Sequence, residues 1–274
     1  MKTIIATTDF TPASVNAVNY AADMALSLNA KLILLNVVEI PMAASEVTVT
    51  ENYFEEMADL AEQDLENLRS ALEERTGGRL NIATKVVLGT VAAQIKEVSD
   101  DYQPFVIVMG KKTGNSMERI LLGSSTLTSV KHNPFPILII PEQVQFKGIH
   151  KIALACDLQN VSDTIPFKLL SDWVSVFNPA LEVVHLSKRE QDFNSLDAAE
   201  SVALENHLSK FKPTFHFLVG DKLAERLNAY AVEKQLDLLV IVPKKHGFLA
   251  LFDKKHSGDI IVHNHTAILA IHAT

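Results

Sequence analysis

The chain has 274 residues, of which 47% are hydrophobic and 21% are charged. This composition is typical of a packed globular protein rather than a disordered one, and the length is sufficient for two domains. The formal net charge of −8 argues against a general nucleic-acid-binding protein, because binding to phosphate backbones requires a basic surface.

The single cysteine, Cys156, excludes an internal disulfide and makes a cysteine-based zinc site unfavourable. Its place in the apolar run IALAC predicts a buried side chain rather than a reactive thiol. No apolar run reaches about 18 residues, so we predict no membrane span. The N-terminal segment has a strand pattern and no signal-peptide pattern, so we expect a cytoplasmic protein.

The first half alternates strand and helix patterns in chain order. A short β-branched run ends at Asp9, and Thr11 followed by Pro12 predicts a helix start, as N-cap and first helical residue. This helix extends to about Leu28, and two further helices are predicted over residues 53–75 and 91–101, with a last one before the final strand. Strands are predicted over residues 3–8, 31–38, 80–88, 105–109 and 137–140. Alternation of this kind predicts a doubly wound parallel sheet.

The same pattern then begins again. Residues 152–156 are followed by Asp157, as residues 4–8 are followed by Asp9, and four further segments match in the same order. In this alignment residues 238–245 match residues 105–112, so that Pro243 stands opposite Gly110. We therefore predict a tandem duplication with domains at 1–143 and 149–274.

Two features of the first half predict a nucleotide site. The carboxyl ends of neighbouring parallel strands flank the ligand crevice of an open sheet, which would bring Asp9 and the loop after Gly110 together. Backbone N–H groups and hydroxyls in that loop are suited to phosphate, and the loop contains Gly114, Gly123, Ser124, Ser125 and Thr126. The alternative is that Asp9 is only a turn or cap residue and that the glycines only satisfy turn geometry.

Other nucleotide fingerprints do not fit. A P-loop needs a glycine five positions before its Gly-Lys-Ser/Thr, and that position is Phe105 here. The residues after the first strand, TTDFTPAS, contain no GxGxxG.

The motifs LLNVVE, VMG-(x12)-GSS and HNPFPILIIPE, together with the strand that ends in Asp9, resemble the universal stress protein family in its tandem form. In the family's phosphate loop, Gly is followed after two residues by Gly and after nine more by Gly-Ser/Thr. Here Gly110, Gly123 and Ser124 keep the outer spacing, while Thr113 occupies the middle position and Gly114 comes one residue later.

The resemblance implies an α/β, Rossmann-like fold of the adenine nucleotide alpha hydrolase type, with two repeated five-stranded parallel sheets forming a pseudo-dimer. It also implies that the first domain binds ATP, with or without Mg²⁺. Adenine or ribose would contact Asp9 and the backbone of Val37 or Val38. Phosphate would contact Gly110, Gly123, Ser124 and Ser125, with Lys112 and Gly114 as neighbours.

The second half departs further from this pattern. The positions that match the loop hold Pro243, His246, His256 and Ser257, so we expect normal ATP binding to be lost there. Nearby lysines could attract an anion or simply be solvated charges. Nine of the ten histidines also lie in this half, which is compatible with a metal site but is more typical of scattered surface residues.

Three functions remain open from the sequence. The first is a stress-response regulatory protein that binds an adenine nucleotide with little or no hydrolysis, and is therefore not an enzyme. The second is an interaction or scaffold protein without nucleotide, and the third is a histidine-dependent enzyme. We expect an unidentified protein partner and either a homodimer or a pseudo-dimeric monomer.

Overall fold

A computed structural model describes residues 1–39, 51–111, 126, 128–130, 133–156, 158–187, 195–220, 223–243 and 266–272. These residues form two compact units, which are divided along the chain between Phe146 and Lys147. The site residues Lys112, Gly114, Gly123, Ser124 and Ser125 lie outside the described residues, as do Thr113, Asp157, His246, His256 and Ser257.

The first unit contains five strands and three helices with described bounds, and residues 126 and 128–130 are also helical. The strands and helices are β1 (Thr3–Thr7), α1 (Pro12–Leu28), β2 (Lys31–Glu39), α2 (Glu51–Thr76), β3 (Ile82–Gly89), α3 (Val91–Tyr102), β4 (Val106–Lys111) and β5 (Ile137–Pro141). The strands are parallel and their order is β3-β2-β1-β4-β5. The five predicted strands and the first three predicted helices are therefore confirmed, with small differences at their ends, and the described part of the last predicted helix is helical.

The apolar runs form central strands because both faces of this sheet are covered. Ile4, Ile5 and Ile107 are each fully buried. Helix α1 begins after Thr11 as predicted, although the Thr11 side chain does not cap the helix. The helix ends at Leu28, and the C-cap residue Asn29 adopts a left-handed conformation with φ of 48°.

The middle of this sheet is where its winding direction reverses. Strand β1 pairs with β2 on one side and with β4 on the other, and α1 packs on β1, β4 and β5. In such sheets the crevice at the reversal point lies beyond the carboxyl ends of the strands. The ends of β1, β2 and β4 thus form the edge at which a ligand is expected.

The second unit repeats this architecture. Its elements are β6 (Lys151–Cys156), α4 (Val161–Thr164), α5 (Phe167–Phe177), β7 (Ala180–Ser187), α6 (Ser195–Leu208), a 3-10 turn (Ser209–Phe211), β8 (Thr214–Val219), α7 (Leu223–Glu233), β9 (Leu238–Ile241) and β10 (Ala267–Ala270). The strands are parallel in the order β8-β7-β6-β9-β10, which is the order of the first unit. The predicted fold of two repeated, doubly wound five-stranded sheets is confirmed.

The strand register corrects one detail of the predicted repeat. Ile4 pairs with Val106 in the first unit, and the equivalent Ile152 pairs with Leu238 in the second. Counting along both strands from these pairs places Val242 opposite Gly110 and Pro243 opposite Lys111. The sequence alignment that set Pro243 opposite Gly110 was wrong by one residue, because it matched the lysine pairs that follow the strands rather than the hydrogen-bonded positions within them.

Candidate functional site

The turn between β1 and α1 is held by hydroxyl groups. Thr8 is buried, and its Oγ1 accepts a hydrogen bond of 2.9 Å from the N–H of Phe10, which adopts a φ of 61°. The Ser14 hydroxyl lies 3.1 Å from Thr8 Oγ1 and accepts from the Asp9 N–H at 3.3 Å. Ser14 also donates to Thr11 O at 3.0 Å. This network fixes the backbone that carries Asp9.

Asp9 itself is exposed at the carboxyl end of β1. Its Oδ1 accepts hydrogen bonds from the Thr11 N–H at 3.2 Å and from Thr11 Oγ1 at 2.6 Å. Asp9 therefore has the turn role that the sequence left open as an alternative. Because the carboxylate also remains accessible to solvent, this role and ligand binding are compatible.

The end of β2 presents main-chain groups beyond the end of β1. The last register pair between the strands is Thr7 with Leu35, and the Thr8 N–H donates to Leu35 O at 2.9 Å. Polar groups of alternate residues in a strand face alternate neighbours. The Val37 N–H and C=O consequently face the side of β1, past its last paired residue, whereas those of Val38 face β3. Of the two predicted residues, the geometry favours Val37.

Sequence reasoning missed Asn36, which lies between Leu35 and Val37 on β2. This side chain is buried, and its Nδ2 donates to Thr8 O at 2.9 Å. The bond joins the ends of β1 and β2 and thereby holds the edge of the sheet in one arrangement. A polar residue within the otherwise apolar run LLNVV is the signal that could have identified it.

Gly110 allows β4 to approach α1 very closely. A Cβ atom at this position would lie 2.5 Å from Ala13 O and 2.7 Å from Ser14 Cα, both in the helix backbone. Any side chain would push the strand and the first turn of the helix apart. The described contacts therefore give Gly110 a packing role, which brings the end of β4 against the turn that carries Asp9.

Lys111, the last residue of β4, is a buried cation that sequence reasoning also missed. Only 4% of the residue is exposed, and its Nζ has no hydrogen-bond partner among the described residues. Burial lowers the pKa of Lys111 to about 8 because desolvation disfavours the charged form. The alternation of side chains along a strand could have identified it. Lys111 shares a face with Ile107 and Met109, and both faces of this strand are covered.

The second unit keeps the shape of the turn but changes its chemistry. Cys156 is buried, as predicted, and its Sγ accepts from the Leu158 N–H at 3.3 Å, with Leu158 at a φ of 51°. A thiol thus takes the place of the Thr8 hydroxyl. Val242, 2% exposed, occupies the position of Gly110.

The described part of the chain contains neither a cluster of metal ligands nor a helix suited to a membrane. Over those residues, no group of three or more histidine, cysteine, aspartate or glutamate side chains is placed to hold a metal ion. Among the helices described, none combines the length and apolar character that crossing a membrane requires.

Comparisons with known proteins agree with this architecture. The model of the universal stress protein family matches residues 1–141. A universal stress protein of Methanocaldococcus jannaschii is 26% identical over 140 residues, which covers 51% of this chain and 81% of that protein. A putative universal stress protein of Staphylococcus saprophyticus is 26% identical over 125 residues, or 45% of this chain and 74% of that protein.

Solved structures extend the likeness of fold to the whole chain. A universal stress protein from Archaeoglobus fulgidus superposes with a TM-score of 0.76 at 15% identity, over 99% of this chain and 98% of that one. A putative universal stress protein from Pseudomonas aeruginosa gives a TM-score of 0.63 at 14% identity, over 99% and 93% of the two chains.

Proposed function

Because this chain belongs to the universal stress protein family, we propose that its first unit binds an adenine nucleotide, ATP in the first instance, and acts as a stress-response regulatory protein. The observation that carries the proposal is the edge where β1, β2 and β4 end. There an exposed carboxylate, Asp9, stands beside main-chain groups of Val37 that extend past the last paired residue of β1.

These groups suit the neutral part of a nucleotide. A carboxylate accepts hydrogen bonds from ribose hydroxyls, and a main-chain N–H and C=O together can read the edge of adenine. Asn36 and Ser14 stabilise the two strand ends, so the groups are held in position before the ligand arrives. Such preorganisation lowers the ordering cost of binding.

The test is calorimetric titration of the full chain with ATP. We expect about one site per chain. Asp9→Asn keeps an oxygen that can accept from Thr11 but removes the charge, and we expect it to weaken binding by about tenfold, as for the loss of a hydrogen bond to a charged group.

Asp157→Asn is the matched control, since Asp157 follows β6 in the sequence as Asp9 follows residues 4–8. We expect it to leave ATP affinity unchanged. Absence of ATP binding by the wild-type chain would contradict the proposal, and equal losses in the two variants would contradict the assignment to the first unit.

We propose further that bound ATP is hydrolysed slowly or not at all, so that the protein is a sensor and not an enzyme. Rapid phosphoryl transfer to water requires a positioned base and usually a metal held by carboxylates. At this edge Asp9 is engaged by Thr11 through Oδ1. Glu39 also ends β2 there, and no group of three or more metal-ligating side chains is found among the described residues. Sustained release of inorganic phosphate at a rate above about one per minute would overturn this part of the proposal.

The alternative is an interaction protein that binds no nucleotide, and one observation favours it. Tyr53, Met57 and Leu60 are exposed on one stripe of α2, with 49%, 37% and 57% of each residue accessible. Exposed apolar stripes are typical of surfaces that meet other proteins. Retained self-association or partner binding in a chain that fails to bind ATP would favour this function.

A further inference from the structure

The buried amine of Lys111 is a charged group of the first unit for which the described contacts offer no partner. Its Nζ is inaccessible to solvent and has no hydrogen-bond partner among the described residues. Buried polar groups in proteins are normally paired, and an unpaired buried cation is costly to fold. An unpaired group of this kind at a ligand-binding edge indicates that its partner is a ligand.

The position of Lys111 fits that reading. It follows Gly110 directly, and Gly110 places the end of β4 against the first turn of α1. Successive residues of a strand point to opposite faces, so Lys111 lies on the face of the sheet away from α1. Lys111 is also the last residue of β4, level with Pro141 of β5, so its side chain starts from the carboxyl edge of the sheet.

We propose that Lys111 is the counter-ion of the ligand, and that its ammonium group binds a phosphate of the nucleotide. The inference rests on the proposed function, because it assigns the charge recognition of the same site. The chain has a formal net charge of −8, so an anionic ligand needs local positive charge to bind. Lysine is a common phosphate ligand because its ammonium acts as a compact point charge.

Binding of an anion would also change the protonation of Lys111. With a pKa of about 8 in the free protein, the amine is about half protonated at pH 8. A phosphate beside it favours the charged form. At pH 8 the protein should therefore take up about half a proton for each ligand bound, and close to none at pH 6.5.

The experiment compares the wild-type chain with Lys111→Met, which keeps the length of the side chain and removes its charge. Three probes separate the parts of the ligand: ATP, adenosine without phosphate, and tripolyphosphate without adenosine. Titrations in two buffers of different ionisation enthalpy measure proton uptake. Lys85→Met is the matched control, because Lys85 lies on β3 of the same unit and pairs with Asp101 at 3.8 Å.

We expect Lys111→Met to bind ATP and tripolyphosphate about 10-fold to 100-fold more weakly, which is the usual effect of losing a hydrogen bond to a charged group. Adenosine affinity should not change, and proton uptake at pH 8 should disappear. Lys85→Met should behave as the wild type. Thermal unfolding of Lys111→Met should occur at the same or a higher temperature, whereas a purely structural role would lower it.

The remaining outcomes each decide a different point. Wild-type affinity for ATP in Lys111→Met would overturn the inference and leave the proposed function intact. Binding of tripolyphosphate and ATP with equal affinity, without adenosine binding, would overturn adenine recognition, and loss of that binding in Lys111→Met would still support the role of Lys111. Failure of the wild-type chain to bind any of the three probes would overturn both proposals.

Discussion

The two units share one topology but differ at the edge where a ligand is expected. In the first unit the turn after β1 is held by the hydroxyls of Thr8 and Ser14, while in the second the Cys156 thiol accepts the equivalent main-chain bond. Both units keep a left-handed residue two positions later, Phe10 in one and Leu158 in the other. A left-handed residue at this position is thus compatible with either a hydroxyl or a thiol as the acceptor of its main-chain N–H.

The helices that follow the two turns differ for a physical reason. Helix α1 is continuous over 17 residues, whereas its counterpart is divided into α4 and α5. The division falls at Ile165 and Pro166, because proline cannot donate to the helix and disfavours helical geometry in the residue before it. Val242 in place of Gly110 also excludes the close strand–helix approach seen in the first unit.

One buried polar group from each unit illustrates a further difference. In the second unit the buried Glu182 accepts a hydrogen bond of 2.6 Å from Tyr230 Oη, so both groups are satisfied within the protein. In the first unit Lys111 has no such partner among the described residues, and Pro243 stands at its equivalent position. Duplication thus preserved the fold while the residues at this edge changed, from Gly110 and Lys111 in the first unit to Val242 and Pro243 in the second.

Gly110→Val places the residue of the second unit into the first and should give the largest effect. The new Cβ would lie 2.5 Å from Ala13 O, so we expect a loss of about 3 kcal/mol in the free energy of unfolding. Chemical unfolding measures it, with Val242→Gly as the reciprocal change in the second unit. Unchanged stability of Gly110→Val would mean that β4 does not approach α1 this closely.

Lys111→Met should raise the free energy of unfolding at pH 7, by about 3 kcal/mol at most, because it removes a buried unpaired charge. The pKa of Lys111 is lowered from 10.5 to about 8 in the folded protein, and that gap corresponds to about 3 kcal/mol.

The sign of the pH dependence follows from proton binding. Between about pH 8 and pH 10.5 the unfolded chain holds a proton on Lys111 that the folded chain has lost, so wild-type stability rises with pH relative to the variant. The advantage of Lys111→Met should be constant below pH 8 and vanish near pH 10.5. A difference between the two proteins that does not vary with pH would contradict the burial of a titrating amine.

Tyr230→Phe tests the satisfied pair of the second unit. It leaves the Glu182 carboxylate buried without its hydrogen-bond donor, so we expect a loss of about 1–3 kcal/mol. Burial and the neighbouring Glu182 carboxylate raise the pKa of Tyr230. Its contribution to stability is therefore present below the ordinary tyrosine pKa of about 10 and is lost at higher pH.

Unfolding experiments at pH 7 and at alkaline pH measure both effects. The variant should lack the alkaline loss that Tyr230 causes in the wild type. Tyr53→Phe is the control, since Tyr53 is exposed and its hydroxyl should contribute little. An equal effect of the two substitutions would argue against a specific Glu182–Tyr230 pair.

Thr8→Cys gives the first unit the turn chemistry of the second and should have the smallest effect. Replacement of the hydroxyl weakens the bond from the Phe10 N–H and removes the contact with Ser14, for a loss of about 1 kcal/mol. Chemical unfolding again provides the measurement, and Cys156→Thr is the reciprocal variant. If both changes are neutral, the hydroxyl network does not stabilise the turn.

The sequence by itself determined the alternation of strands and helices, the repeat of two sheets and the position of Asp9 at a strand end. These features depend on local rules: apolar runs form strands covered on both faces, and the Thr11-Pro12 pair starts a helix. The helix start illustrates the limit, because Thr11 occupies the predicted position while its hydroxyl binds Asp9 instead of capping.

Only the tertiary structure decided which residues of the two halves are equivalent and which polar groups are buried without partners. Register is set by hydrogen bonds between strands that are distant in sequence. The sequence alignment relied instead on the two lysine pairs, and it therefore placed Pro243 one residue away from its structural equivalent. The burial of Lys111 and the pairing of Glu182 with Tyr230 likewise depend on elements packed from elsewhere in the chain. A side chain's environment is a property of its neighbours in space, and one sequence alone does not specify them.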